Sequence, residues 1–379
     1  MTRTLMNSSA IKFHLVALGA GMSSALSIPT LSVFLATELQ LQSWKIGALF
    51  SANALSGIVI SILIAHFSDR LKSRKPLLLF CISMQICNAL LFIFCRRYVV
   101  MIAFGALLSA FGSAAVPQLF ALAKQTYDNA QFSAVLRAQF SLAWVFGPPL
   151  GYWLIQQFGF ITLYIVITGV LLFVFLMSTR LPSNPYRPSR AINLPEHSQS
   201  MGRNLSYLVV STILIWTSSA LYLIAFPLYL EYQPSLSSDW TGVLYGVAAA
   251  LEIPVMLLGA RFLCRVSKKY QMQVAILCGI IFYAGVIYSR GFDSLLVLQI
   301  FNAIFIGLTS IVGLSWFQEL LKNQQGLAAT LYTNSVSVGV FFAGVMQSLL
   351  SYTKSLYTWP TLCLLLAVSY IYIVKIDEI

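Results

Sequence analysis

Eleven acidic residues occur in this 379-residue sequence, and only one stands in the middle of a long apolar run. Glu38, Asp69, Asp128, Glu231, Asp239, Asp293 and Glu319 fall at or near the ends of such runs, and Glu196, Asp377 and Glu378 lie in polar segments. Glu252 is the exception. A carboxyl in hydrocarbon is costly to keep charged, so a proton can make it neutral there. Alternation between the two forms is what coupling a proton to a conformational change requires; the other reading is a polar anchor satisfied by neighbouring side chains. The same apolar runs carry side-chain amides, Asn53, Gln85, Asn88, Gln118, Gln139, Asn302 and Asn334, together with Trp144, Trp216, Tyr222, Tyr245 and Trp316. Amides donate and accept at once, which suits hydroxyl groups, and aromatic rings cover flat C–H faces. Any one amide serves equally well as a helix–helix hydrogen bond. Their spread over both halves of the chain is the more informative feature.

Enzyme chemistry has no comparable support. There is no HExxH pair, no Gly-x-Ser-x-Gly elbow and no phosphate loop, and the histidines, His14, His66 and His197, are far apart in sequence. The six cysteines show neither metal nor redox spacing, so they read as small packing residues. No metal and no cofactor is expected.

The elements that position these residues follow from composition. Apolar residues make up 59% of the chain and charged residues 9%, against about 25% charged in soluble domains, and mean hydropathy is +0.82. A water-soluble core cannot absorb that much apolar surface. Apolar spans are expected near 11–37, 44–66, 76–95, 98–123, 134–157, 159–179, 205–230, 240–262, 270–289, 293–318, 326–352 and 355–374, each near the ~20 residues a bilayer-crossing helix needs. The fold class is therefore an all-α membrane protein of twelve helices. The net charge of +12 would suggest nucleic acid in a soluble chain. Here, with both termini placed in the cytoplasm, eighteen Lys and Arg fall on that side and five, Lys45, Arg96, Arg97, Arg290 and Lys354, on the other. This is the positive-inside pattern, with the lipid bilayer as the partner and no nucleic acid. The apolar run after Arg3 and Lys12 continues past Ser23, Ser24 and Ala25 to Glu38, longer than the core of a secretory signal, and is expected to be a retained first helix.

Leu181–Asn204 interrupts the pattern: it is polar, holds four prolines and lacks apolar periodicity. It is expected to link two six-helix bundles, residues 1–180 and 205–379. An offset of 195 residues aligns Gly47, Leu49, Phe50, Ile58, Ala65 and Arg70 with Gly242, Leu244, Tyr245, Ile253, Ala260 and Arg265, and pairs Leu136 with Leu331 and Phe146 with Phe341. A duplicated unit is the simplest source.

Two motifs and several longer runs then bring a known family into view. The turn Ala65–Lys75, with Asp69-Arg70 and a basic cluster that includes Arg74, resembles the signature turn of the major facilitator superfamily, although Ala65 replaces its Gly. An Asp at a helix end can pair with Arg and face a helix N-terminus, so Asp69, Arg70 and Arg74 are expected to form a conformational latch; an ordinary basic membrane turn is the alternative. Gly147-Pro148-Pro149-Leu150-Gly151 resembles the Gly-Pro motif of the superfamily's exporters, with Tyr152 where a second Gly is usual. The prolines free carbonyls and predict a bend, and Gly147 and Gly151 form a small-xxx-small face. Pro117–Ala123, Leu136–Trp144, Leu251–Pro254, Phe301–Ala303 and Thr333–Ser335 are similar to the bacterial sugar efflux transporter family.

That resemblance implies a major facilitator fold, the bacterial inner membrane, and proton-coupled export of mono- or disaccharides and related glycosides, with sugar and protons as partners and a monomer expected. Asn53, Gln118, Gln139, Asn302 and Asn334, with Trp144 and Trp216 for stacking, are the expected sugar contacts, and Glu252 the proton-coupling group. Arg137, about one turn into its span, either snorkels or reaches a ligand. Two departures bear on coupling. Ala225 stands where the family has an acidic residue, and Leu108 where many proton antiporters of the superfamily have Arg. A drug or other small-solute transporter of the same fold, or an uncoupled sugar facilitator, is the alternative.

Overall fold

A computed structural model describes residues 8–68, 73–127, 130–183, 199–231, 240–262, 265–321, 324–349 and 357–374. They are helical almost throughout, with no strand among the described residues. In lipid the backbone must satisfy its own polar groups, and an apolar run achieves this within a single helix. Ten helices are long and apolar enough to cross a membrane. One of them, Val135–Thr179, has 45 residues, about twice the necessary length. It lies in helix Ala130–Thr179, interrupted by non-helical dihedrals at Gly159 (φ 77°, ψ 174°). Positive φ is open to glycine at little cost, so Gly159 separates the fifth span from the sixth, where the sequence placed the boundary. With that division and the shorter apolar helix Thr358–Ile373, the described residues supply twelve apolar segments in the expected order.

One boundary moves. Helix Gln199–Glu231 starts inside the segment expected to be linker, and its apolar part begins at Arg203. Hydropathy marks where a helix becomes apolar, and says nothing about how far it continues in polar residues. The linker residues 184–198 lie outside the described residues.

The chain forms two compact units, each discontinuous in sequence. The first comprises Met1–Leu41, Ala52–Ser189 and Thr241–Gly246; the second comprises Gln42–Ser51, Arg190–Trp240 and Val247–Ile379. In the first, span one packs on helix Ala130–Thr179, and span three (Lys75–Phe94) on that helix and on span four. Its core includes Phe13, Val16, Leu78, Ile82, Leu119, Phe132 and Leu136. In the second, span seven (Gln199–Glu231) packs on spans eleven and twelve, and span nine (Lys268–Tyr288) on spans ten and twelve.

Matching details recur in the two units. Lys75 Nζ donates to the carbonyls of Thr179 and Leu181, each at 2.7 Å. Lys269 Nζ donates to those of Tyr372 and Val374, at 2.6 and 2.9 Å. In each unit a lysine at the start of the third helix thus satisfies carbonyls at the end of the sixth, where the helix dipole favours a cation. Close approaches repeat as well. A Cβ on Gly242 would lie 3.0 Å from Pro149 Cα in the first unit, and one on Gly47 would lie 2.2 Å from the Gly344 carbonyl oxygen in the second. Both members of the first pair are offset by 195 residues from their counterparts.

Candidate functional site

The Gly-Pro motif holds span five against span one. A Cβ on Gly147 would lie 2.4 Å from Ala25 Cβ, and one on Gly151 would lie 3.4 Å from Thr30 Cγ2, so the small face meets its neighbour closely. The helix passes Pro148 and Pro149 with helical dihedrals, and the break falls at Gly159, because proline's own φ is helical even though its missing N–H is not replaced. Tyr152, standing where the motif has Gly, donates its hydroxyl to the Pro29 carbonyl at 2.9 Å. The departure therefore adds a bond between spans one and five.

The expected contact residues divide by unit. In the first, Gln118 is buried and its Oε1 accepts from Arg74 Nη1 at 3.3 Å. Gln139 Oε1 lies 2.9 Å from His14 Nδ1. Asn53 is half-buried, and its Oδ1 has no hydrogen-bond partner among the described residues. Trp144 is half-buried, and Arg137 is exposed, with its guanidinium 5.8 Å from the Phe120 ring centroid. Of the expected latch, Asp69 and Arg70 lie outside the described residues, and Arg74 is engaged with Gln118.

In the second unit Asn302 is 3% exposed, and its amide donates to Gln299 Oε1 at 3.0 Å; Gln299 donates in turn to the Tyr222 hydroxyl at 3.3 Å. Trp216 is half-buried, and Tyr332 donates its hydroxyl to the Ser310 carbonyl at 3.4 Å. Asn334 is half-buried. Glu252 is half-buried on helix Trp240–Phe262, where its Cγ would lie 3.4 Å from a Cβ on Gly307 of span ten. The missing side chain at Gly307 is what lets span ten approach this closely, since a Cβ there would lie 2.9 Å from Val255 Cγ1. Ala225, at the family's acidic position, is fully buried. None of the eight residues expected to handle sugar or proton is hydrogen-bonded to another of them among the described residues. Gln118 and Asn302 are held inside their own units by protein partners, which the residue types alone could not reveal, since an amide fits either role.

A cavity of about 140 Å³, lined by both polar and apolar side chains, lies within the first unit. Spans one, three, four and six line it with Ser23, Ser24 and Ser27, Gln85 and Asn88, Ser109 and Ser113, and Tyr164. The helical period puts Ser23, Ser24 and Ser27 on one face, and Ser109 and Ser113, one turn apart, on another. Their spacing is the signal that sequence reading passed over; Gln85 and Asn88 it had noted. Gln85 enters because Gly112 has no side chain: a Cβ there would lie 2.2 Å from Gln85 Cγ. No lining residue is charged.

Residues 13–344 match the profile of the Major Facilitator Superfamily. Sugar efflux transporter A of Escherichia coli strain K12 is 40% identical over 354 residues, covering 90% of this chain and 89% of that protein. The chain belongs to the sugar efflux transporter family of the major facilitator superfamily. Another member of this family, sugar efflux transporter C of the same strain, is 37% identical over 357 residues, 91% of this chain and 90% of that one. Among solved structures the nucleoside transporter NupG superposes with a TM-score of 0.81 at 13% identity, over 98% of this chain and 100% of that one. A bacterial homologue of the iron transporter ferroportin superposes with 0.71 at 14% identity, over 97% and 99%. These likenesses establish the fold. This sugar efflux transporter family member is a multi-pass membrane protein whose relatives are transporters, not enzymes.

Proposed function

We propose that this protein exports mono- or disaccharides and related glycosides across the bacterial inner membrane by alternating access, as a proton antiporter. The observation that carries the reading is its similarity, at 37–40% identity and over about nine-tenths of its length, to proteins named as sugar efflux transporters. Half-buried Asn53 and Asn334 and the rings of Trp144 and Trp216, contributed by both halves of the chain, support it, because they offer hydroxyl partners and flat apolar faces. Cytoplasmic termini belong to this reading, and the distribution of basic residues between the loops supports them. A six-helix bundle at 1–180, a cytoplasmic linker at 181–204 and a second bundle at 205–379 make up the working transporter, which acts as a monomer.

Everted membrane vesicles test the export reading, because their interior is the former periplasm. Labelled glucose or lactose is expected to enter with saturable kinetics; absence of saturable entry for both would overturn it. Glu252 is the coupling group in this reading, since Ala225 and Leu108 remove the other expected charges. Glu252→Gln is expected to abolish accumulation driven by a pH gradient while leaving sugar exchange without a gradient intact. An unchanged response to the gradient would take the coupling role away from Glu252, and favour an uncoupled facilitator if the wild type also ignores the gradient.

A further inference from the structure

Three of the expected contact amides are held by protein partners, and they differ in what is left over. Gln118, bonded to Arg74, and Asn302, bonded to Gln299, are 6% and 3% exposed. Gln139 is half-buried. Its Oε1 lies 2.9 Å from Nδ1 of His14 on span one. Two acceptors facing each other cannot bond, so Nδ1 carries a hydrogen and donates it to the amide oxygen. The other end of the same planar amide, Nε2, has no hydrogen-bond partner among the described residues, and unlike the unpaired oxygens of Asn53 and Asn88 it is not buried. Its N–H donors stay open to a ligand.

The ring that sets this orientation is itself held. His14 packs on the Phe132 ring at a centroid distance of 5.0 Å, and Phe132, which is buried, meets the rings of Phe13 and Tyr127. His14 stands six residues, about 9 Å, into the helix that begins at Ser8, and Gln139 nine residues, about 14 Å, into the one that begins at Ala130. Gln139 shares a helix face with exposed Val135 and Leu142, and His14 shares one with exposed Ile11. An ionisable ring and an amide at that depth are costly against hydrocarbon, so the uncovered face they share adjoins water or a polar ligand.

The repeat carries the same amide without its holder. At the 195-residue offset Gln139 corresponds to Asn334 and His14 to Val209, as Ser27 does to Tyr222. Asn334 is half-buried too, and its amide has no hydrogen bond among the described residues. A valine cannot donate, so nothing from that position turns the Asn334 amide one way rather than the other. Both copies keep an accessible amide, and only the first fixes which end it offers.

From these observations we infer that His14 is a positioning residue for sugar recognition: by binding Gln139 Oε1 it turns the amide so that the Nε2 hydrogens donate to a sugar hydroxyl oxygen. A donor already held in its bound orientation has less freedom to lose when the ligand arrives. The inference rests on the sugar-export reading and adds to it a residue, His14, that touches Gln139 and acts through it.

Counterflow of labelled glucose and lactose in proteoliposomes of the full chain separates the two ideas. Wild type that exchanges neither sugar removes the export reading and the positioning role together. Where wild type exchanges, His14→Leu and Gln139→Leu are each expected to raise the half-saturation concentration about tenfold at an unchanged maximal rate, the factor matching one lost hydrogen bond of ~1.4 kcal/mol. The double variant is expected to stay near tenfold, because a group that acts through another adds nothing once that other is gone. His14→Asn, which keeps a donor near the position of Nδ1, is expected to remain within twofold of wild type. A half-saturation within twofold for His14→Leu, or a hundredfold rise in the double variant, overturns the positioning role and leaves the export reading standing. Should His14→Leu fail to elute as a single folded species, Gln139→Glu decides: it keeps an acceptor for His14 but has no amide hydrogens, so a tenfold rise supports the inference and an unchanged half-saturation overturns it.

Discussion

The two units share a frame and differ in what they enclose. Each ties the start of its third helix to the end of its sixth through one lysine, Lys75 or Lys269. Yet the first unit keeps a partly open cavity lined by serine, amide and apolar side chains, while the second fills the corresponding place with Tyr222, Phe282, Tyr283 and Phe305. Duplication explains the common frame, since terminal contacts depend on helix ends that both copies retain. Interiors diverge more freely, because cores tolerate change when volume is conserved within each one. A glycine opposite a large residue can be exchanged for the reverse arrangement, and that is how Gly112 with Gln85 and Phe305 with Gly279 differ.

The contrast can be broken by experiment. Phe305→Ala, at a fully buried position, is expected to destabilise the second unit by ~3–5 kcal/mol, whereas Ser24→Ala in the first unit removes only a bond to its own helix and costs less than ~1 kcal/mol. Thermal challenge followed by gel filtration, in a detergent without a sugar headgroup, measures both; equal losses would show that the two interiors carry equal weight. Next in size is Gln299→Leu, which removes the acceptor of the Asn302 amide and one donor to the Tyr222 hydroxyl and is expected to cost ~1–3 kcal/mol. A neutral result would show that this polar chain is dispensable in an aromatic core. Smallest are Lys75→Met and Lys269→Met, each expected to lower stability by ~1 kcal/mol through unsatisfied carbonyls at a helix end. The shared frame requires the two losses to match; a loss confined to one lysine would end the equivalence.

Much of this was legible in the residues. The twelve apolar runs, the break at residue 159 and the 195-residue offset all follow from hydropathy and spacing, and the long runs in spans four and five carried the family resemblance. The site was less legible. Asn302 and Gln118 are amides at membrane depth like Asn53, yet they face Gln299 and Arg74 inside their own units. The serines at 23, 24 and 27 read only as small residues in the first helix, because serine is equally at home in a packing contact or a polar cavity.

The sequence by itself determined that this chain lives in lipid, that it is helical and that it belongs with the sugar efflux transporters. Those properties depend on composition, period and local runs, which need no knowledge of which helix lies beside which. Only the tertiary structure decided which polar groups are satisfied by the protein and which remain available. Hydrogen-bond satisfaction is a property of pairs: Gln118 lies 44 residues from Arg74 and Gln139 lies 125 from His14, and only the packing of helices brings each pair within bonding distance.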